Sequence, residues 1–313
     1  MKKQSVAVSK LGKVSLKSDM RMNWRVYLLI LPIIIYFIVF NYLPMFGLVM
    51  AFQDFNPVKG FFHSDFVGLK NFIEFFSAPN FWQLMRNTLV ISLLGLVIGT
   101  PVTIGFALLL NEVSRMFFKR TVQTISYMPY FVSLVVICGL VIEFCGSNGV
   151  ITQFLVNVFG IKQQNLLQNP NYFWGIYLVS DLWQGVGYGS IIYIAAITSV
   201  SSELHEAAAI DGAGRLKRVF NVTIPAIMPT IVTLVILKCG MMFSTGFEKV
   251  LLLYNPSIYE TADVISTYVQ RMGIIKQQYG FSAAVGLFNS LVNTILLLVS
   301  NYLSKKYTDN SIV

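Results

Sequence analysis

Six times along its 313 residues the chain runs apolar for long enough to cross a lipid bilayer. The runs fall at roughly 26–50, 87–110, 122–144, 173–198, 226–247 and 281–303. They are continuously apolar, whereas the strands of a membrane β-barrel alternate polar and apolar residues, so a barrel is excluded. Charged residues make up 12% of the chain, against about 25% in a soluble domain. That excludes a soluble enzyme and a secreted disulfide scaffold. The expected fold is an all-α membrane protein with six transmembrane helices over 26–303, between an N-terminal tail at 1–25 and a C-terminal tail at 304–313.

Charge placement orients this array. Lys2, Lys3, Lys10, Lys13, Lys17, Arg21 and Arg25 lie in the N-terminal tail, and Arg115, Lys119 and Arg120 follow the second run. Arg215, Lys217 and Arg218 follow the fourth, and Lys305 and Lys306 follow the sixth. These segments share one side of the membrane and hold fifteen of the 23 basic residues. By the positive-inside rule that side, with both termini, is cytoplasmic. The net charge of +9 is therefore topological, with some attraction to anionic lipid, and nucleic-acid binding is not expected. The first run is too long for a secretory signal and lacks a small-residue cleavage site, so it reads as an uncleaved span.

Chemistry-bearing motifs are missing. Cys138, Cys145 and Cys239 show no metal spacing, and His63 and His205 lie in loops. There is no phosphate loop, no HExxH and no nucleophile elbow, so no ATP hydrolysis, metal or cofactor is expected in this chain.

The loop at 199–225 carries the strongest local signal. Ser202 can cap a helix whose first turns hold Glu203 and Glu206, the small Ala207, Ala208 and Ala209 follow, and Gly212 and Gly214 can end it. On physical grounds alone this is a helix–turn–helix outside the membrane, either a plain connector or a docking element. The run Glu206-Ala207-Ala208, then Asp211-Gly212-Ala213, then Ile224-Pro225 resembles the EAA loop of binding-protein-dependent ABC importer permeases; Ile224 stands where leucine is commoner. Asn41-Tyr42-Leu43-Pro44, Gly68-Leu69-Lys70-Asn71-Phe72 and Asn87-Thr88-Leu89 are similar to sugar-importer permeases, and Asp181-Leu182-Trp183-Gln184 and Gly246-Phe247-Glu248 to their LplB-like branch, related to the maltose importer permeases. The resemblance implies a type I ABC importer permease working by alternating access in a bacterial cell membrane. It further implies a second permease of different sequence, two ATP-binding cassette ATPases that bind ATP and Mg, an extracellular solute-binding lipoprotein and a carbohydrate substrate. Within it, Glu206 would pair with a basic residue of the ATPase, Ala207 and Ala208 would allow close docking, and Asp211, Gly212 and Ala213 would shape the loop end. A permease for glycerol phosphate or another anion, and a six-span membrane enzyme or scaffold, are the alternatives.

Polar residues inside spans mark a pathway or a helix–helix contact. Trp174, Tyr177, Asp181, Gln184 and Tyr188 recur at helical spacing beside Gly185; Lys238, Met242, Thr245 and Glu248 form a second stripe with Ser244 and Phe247 adjacent; Asn289 and Asn293 lie one turn apart. Rings cover sugar C–H faces and polar side chains satisfy hydroxyls, so these residues are the candidate substrate path. The resemblance to the maltose importer points to Gln184, Gly185, Tyr188 and 244–247 in particular. At a rise of about 1.5 Å per residue, Asp181 and Lys238 both come out roughly 12 Å below the outer face. They are expected either to pair or to leave Lys238 for an acidic substrate.

Overall fold

The computed structural model of the protein describes residues 16–244 and 246–308. Most of the expected N-terminal tail, the end of the C-terminal tail and the site candidate Thr245 lie outside the described residues.

Among the described residues five helices are long and apolar enough to cross a membrane: Trp24–Phe52, Phe81–Glu112, Leu134–Phe159, Arg215–Cys239 and Tyr279–Lys306. Pro170–Thr198 makes a sixth when taken with Ser202–Ile210, which bends 70° away from it. Numbered in chain order, Pro170–Thr198 is span 4. Its Asp181, Gln184 and serines dilute the apolar run, as happens where a helix faces something other than lipid.

Two spans depart from the expected bounds. The run at 122–144 is not one helix. Met116–Tyr127 stands alone, with Lys119, Arg120 and Gln123 on it, and a short 3₁₀ turn at Met128–Phe131 follows. Pro129, which has no N–H, and the extended Val132 and Ser133 interrupt the path. Span 3 begins at Leu134 and continues past a break at Gly146–Gly149 to Phe159. Span 5 ends at Cys239 rather than near 247. Met242 and Phe243, 8% and 2% exposed, tuck into a core with Phe75, Phe81, Leu84 and Ile265. Ser92 Oγ donates to the Met242 carbonyl, and Asn293 Oδ1 accepts from the Phe243 N–H at 2.9 Å. The chain then re-enters as a short helix, Phe247–Leu253.

Three cores hold the helices together. One joins Ile91, Cys138, Phe173, Tyr177 and Val250. A second is the Phe75 cluster, and a third sits at the opposite end of span 4, around Ala107, Tyr193, Ile197 and Ile227. The segment after Leu253 is tied down by backbone acceptors. Fully buried Asn87 donates to the carbonyls of Glu260 and Asp263 at 3.0 and 2.9 Å, and Trp174 Nε1 donates to that of Thr261 at 2.8 Å. Trp174 thus anchors that loop to span 4. Outside this body, a two-residue antiparallel ladder pairs Gln53–Asp54 with Asp65–Phe66, and no residue of Trp24–Tyr42 is buried.

Candidate functional site

The loop between spans 4 and 5 is a short bent helix closed by a glycine turn. Ser201, one residue before the expected cap, accepts from the Glu203 N–H through Oγ at 3.3 Å and starts the helix Ser202–Ile210. Both serines can cap; the chain uses the one at which span 4 has already ended. At the far end the Ala213 N–H bonds the Ala208 carbonyl at 2.8 Å and the Gly212 N–H bonds that of Ala209 at 3.1 Å. This is a Schellman closure, and it needs a left-handed residue where Gly212 sits with φ +76°. Arg215 then leads directly into span 5. No residue of this helix is buried; Glu206, Ala207 and Asp211 are exposed, and Ala208 and Ala213 half-buried. Leu204, Ile210 and Leu216 are 53%, 87% and 74% exposed. Apolar side chains so exposed on a polar loop call for a covering surface.

The second site lies along span 4, where two cavities meet at Asp181. One, about 420 Å³, is lined by Leu134, Tyr177, Asp181, Gln184, Ser244, Gly246, Phe247, Glu248 and Lys249. The other, about 410 Å³, runs further along the helix past Asp181, Gly185 and Gly189 to Lys238. Both volumes suit a small-molecule site. The expected Asp181–Lys238 pair is not formed. Lys238 Nζ donates to Thr100 Oγ1 at 2.9 Å, and Asp181 Oδ1 takes Lys249 Nζ at 3.4 Å. Lys238 comes out level with Asp181 only if span 5 starts near 226; the helix runs Arg215–Cys239 and puts Lys238 at its last turn. The chain then turns after Cys239 and returns Lys249 to the wall of span 4, 4% exposed, with Gln184 Oε1 at 3.5 Å and the Tyr177 ring centroid at 5.5 Å.

The other candidates divide. Gln184, Ser244 and Phe247 line the first cavity, and Gly185 lines the second. Tyr177, 4% exposed, lines the first mainly by supporting it: a Cβ at Gly246, whose φ is +77°, would meet its hydroxyl at 2.3 Å. Tyr188 leaves the stripe and stacks on Tyr130, centroids 3.8 Å apart at 5°. Asn293 pins the turn after span 5, accepting from Phe243 and donating to Ser244 Oγ at 2.9 Å. Asn289 Oδ1 is buried without a partner among the described residues. Sequence reasoning missed Lys249, which lies just past the expected end of the fifth run at 247. The signal was Gly240 and Gly246 inside the fifth apolar run, which end the helix early and bring 247–253 back.

A bundle of membrane helices, with two cavities along span 4 and an exposed bent helix joining spans 4 and 5, defines a transport permease that does no chemistry itself. The chain belongs to the family of binding-protein-dependent transport system inner membrane components, whose model matches residues 95–309. It is 44% identical over 286 residues to the polygalacturonan/rhamnogalacturonan transport system permease protein YteP of Bacillus subtilis (strain 168), covering 91% of this chain and 89% of that one. It is 39% identical over 308 residues to Protein LplB of the same organism, covering 98% and 96%. In structure it is similar to a bacterial alginate ABC transporter crystallised with an alginate pentasaccharide-bound periplasmic protein, with TM-score 0.87, 38% identity, and coverage of 95% of this chain and 99% of that one. The protein is a membrane permease subunit of an ABC-type carbohydrate importer. Membership implies the general importer architecture of a permease pair, ATPase subunits and a solute-binding partner.

Proposed function

We infer that the chain pairs with a second, different permease to carry an oligosaccharide delivered by an extracellular lipoprotein, driven by two ATPases that dock on Ser202–Ile210. The observation that carries this reading is the continuity of the lever. Span 4, the bent helix and span 5 are consecutive, so a push on Glu206 moves the two helices that hold Asp181 and Lys238. Apolar Leu204, Ile210 and Leu216 supply the docking surface, Ala207 and Ala208 let it come close, and Glu206 offers the charge for a basic residue of the ATPase. Closure of the ATPases on ATP rocks the spans, and the cavities open to the outside to receive sugar. Gln184 and Ser244 address hydroxyls, while Phe247 and Tyr177 face C–H surfaces. Both termini and the lever are cytoplasmic in a bacterial cell membrane, on the charge asymmetry.

Two measurements test this. Purified with its partners in proteoliposomes, the permease supports ATP hydrolysis that rises when the loaded binding protein is added; an ATPase rate indifferent to saccharide would defeat the reading. A cysteine placed at Ser202 reacts with a membrane-impermeant maleimide only from the cytoplasmic side, and one at Lys59 or Asn165 only from outside. Ser202 labelled in intact cells would reverse the topology.

A further inference from the structure

We propose that Lys249 receives an acidic substituent of the transported saccharide, a uronate carboxylate, and that Asp181 holds its place in the empty permease. This rests on the importer reading and names the substrate class of the cavity at span 4.

Lys249 is 4% exposed, yet it lines a cavity of about 420 Å³. Its two oxygen partners, Asp181 Oδ1 and Gln184 Oε1, stand at 3.4 and 3.5 Å. A settled charge-assisted bond between an ammonium and a carboxylate is about 2.7–2.9 Å long. Another ion pair in the chain shows the contrast. Asp263, 3% exposed, takes Arg271 through both carboxylate oxygens and Thr267 Oγ1 at 2.9 Å as well. Asp181 is 49% exposed and makes one long contact to Lys249. The Asp263 pair is built to stay; the Asp181 pair leaves bonding capacity on a buried cation that faces open space.

The charges around the cavity fit an incoming anion. Asp181 lies on the wall shared by both cavities, with Lys249 on one side and Lys238 on the other. Two lysines thus flank one carboxylate. When a substrate carboxylate takes Lys249, Asp181 still has a cation on its second side, and the four charges balance. Glu248 also lines the first cavity, but it is exposed at the rim, where solvent screens it. Phe247, Leu134 and the Tyr177 ring give the sugar body apolar surface beside the charge.

The test uses the complete importer in proteoliposomes, with trisaccharides of galacturonate, mannuronate and glucuronate, the methyl esters of each, and their neutral parent sugars. The ester removes the charge at the cost of one added methyl group, and the neutral parent sugar removes the charge without it. Wild type imports at least one uronate trisaccharide and discriminates against its ester. Lys249→Met lowers that import about tenfold or more, and Lys249→Arg keeps most of it. Asp181→Asn removes the competitor and lowers the KM for the acid several-fold, where a merely structural pair would make it as damaging as Lys249→Met. The amount of assembled complex is measured alongside. An Asp181→Asn variant as impaired as Lys249→Met, or a loss of import matched by loss of assembly, overturns the proposal. Import of esters or neutral sugars alone also overturns it while leaving the importer reading intact; import of no saccharide overturns both.

Discussion

Glu206→Ala and Gly212→Pro each abolish saccharide-stimulated ATP hydrolysis while the permease still inserts and folds. Glu206 is exposed on a helix with no buried residue, so truncating it costs this chain little, within about 0.5 kcal/mol for a free surface position. Its effect is therefore read at a contact made with another subunit. Gly212→Pro acts on shape. Proline fixes φ near about −65°, and the position stands at +76°. The substitution also deletes the N–H that bonds the Ala209 carbonyl at 3.1 Å. The Schellman closure opens, and Ser202–Ile210 loses its fixed angle to span 5. A lever that has lost its angle transmits nothing, even with its docking face intact. Gly212→Ala, which only strains the left-handed position by roughly 1 kcal/mol, retains part of the stimulation. Stimulated hydrolysis is measured in proteoliposomes, with membrane insertion followed in parallel. Full stimulation in both Glu206→Ala and Gly212→Pro would remove the coupling role from this loop.

The helix and turn of Ser202–Gly212 were legible because everything that makes them is local. An N-cap, two early acids, small residues and a glycine terminator lie within a few turns of one another; the cap is Ser201 rather than Ser202, and the expected second outer helix is the start of span 5 at Arg215. The apolar runs likewise reveal that the chain spans a membrane, because bilayer thickness sets their length. Hydropathy is blind to where an apolar run stops being one helix. Residues 122–131 and the stretch after Cys239 are apolar enough to be read as span, and only Pro129, Gly240 and Gly246 betray the breaks. That blindness propagates into the site. With span 5 taken as 226–247 instead of Arg215–Cys239, Lys238 comes out level with Asp181 and the return of Lys249 to span 4 goes unseen. Helical spacing has a related limit: it put Tyr188 on the face of Asp181, but the ring rotates toward Tyr130, contributed by a segment whose fold the spacing could not foresee. Asn289 and Asn293 were open between pathway and helix contact. Asn293 is a contact, because the turn after span 5 presents an N–H just where its oxygen lies.

Two glycines on one helix separate packing from path. Gly187→Ala is expected to destabilise the permease severely, and Gly185→Ala is expected to leave it folded. A Cβ on Gly187 would meet the Ser126 carbonyl oxygen at 2.1 Å, its carbon at 2.4 Å and the Tyr127 nitrogen at 3.0 Å. Carbon contacts have their optimum at about 3.5–4.0 Å, and these neighbours are backbone, so no rotamer change relieves the clash. Span 4 and the end of Met116–Tyr127 would have to part, as helices in a membrane do when a small interface residue grows. Overpacking of this kind costs about 1–3 kcal/mol, and more where backbone is involved. The separation also pulls on Tyr130, stacked on Tyr188 one residue along. A Cβ on Gly185 has no heavy atom within 4 Å and points into the cavity of Asp181 and Lys238. There alanine gains helix propensity, about 0.5–1 kcal/mol over glycine. Thermal unfolding of the detergent-solubilised complex should therefore drop by many degrees for Gly187→Ala and hold or rise for Gly185→Ala. Saccharide import follows a different order, since Gly185→Ala narrows the cavity while Gly187→Ala removes the protein. Equal melting temperatures for the two variants would mean that span 4 and the 116–127 helix do not touch at Gly187 in the membrane.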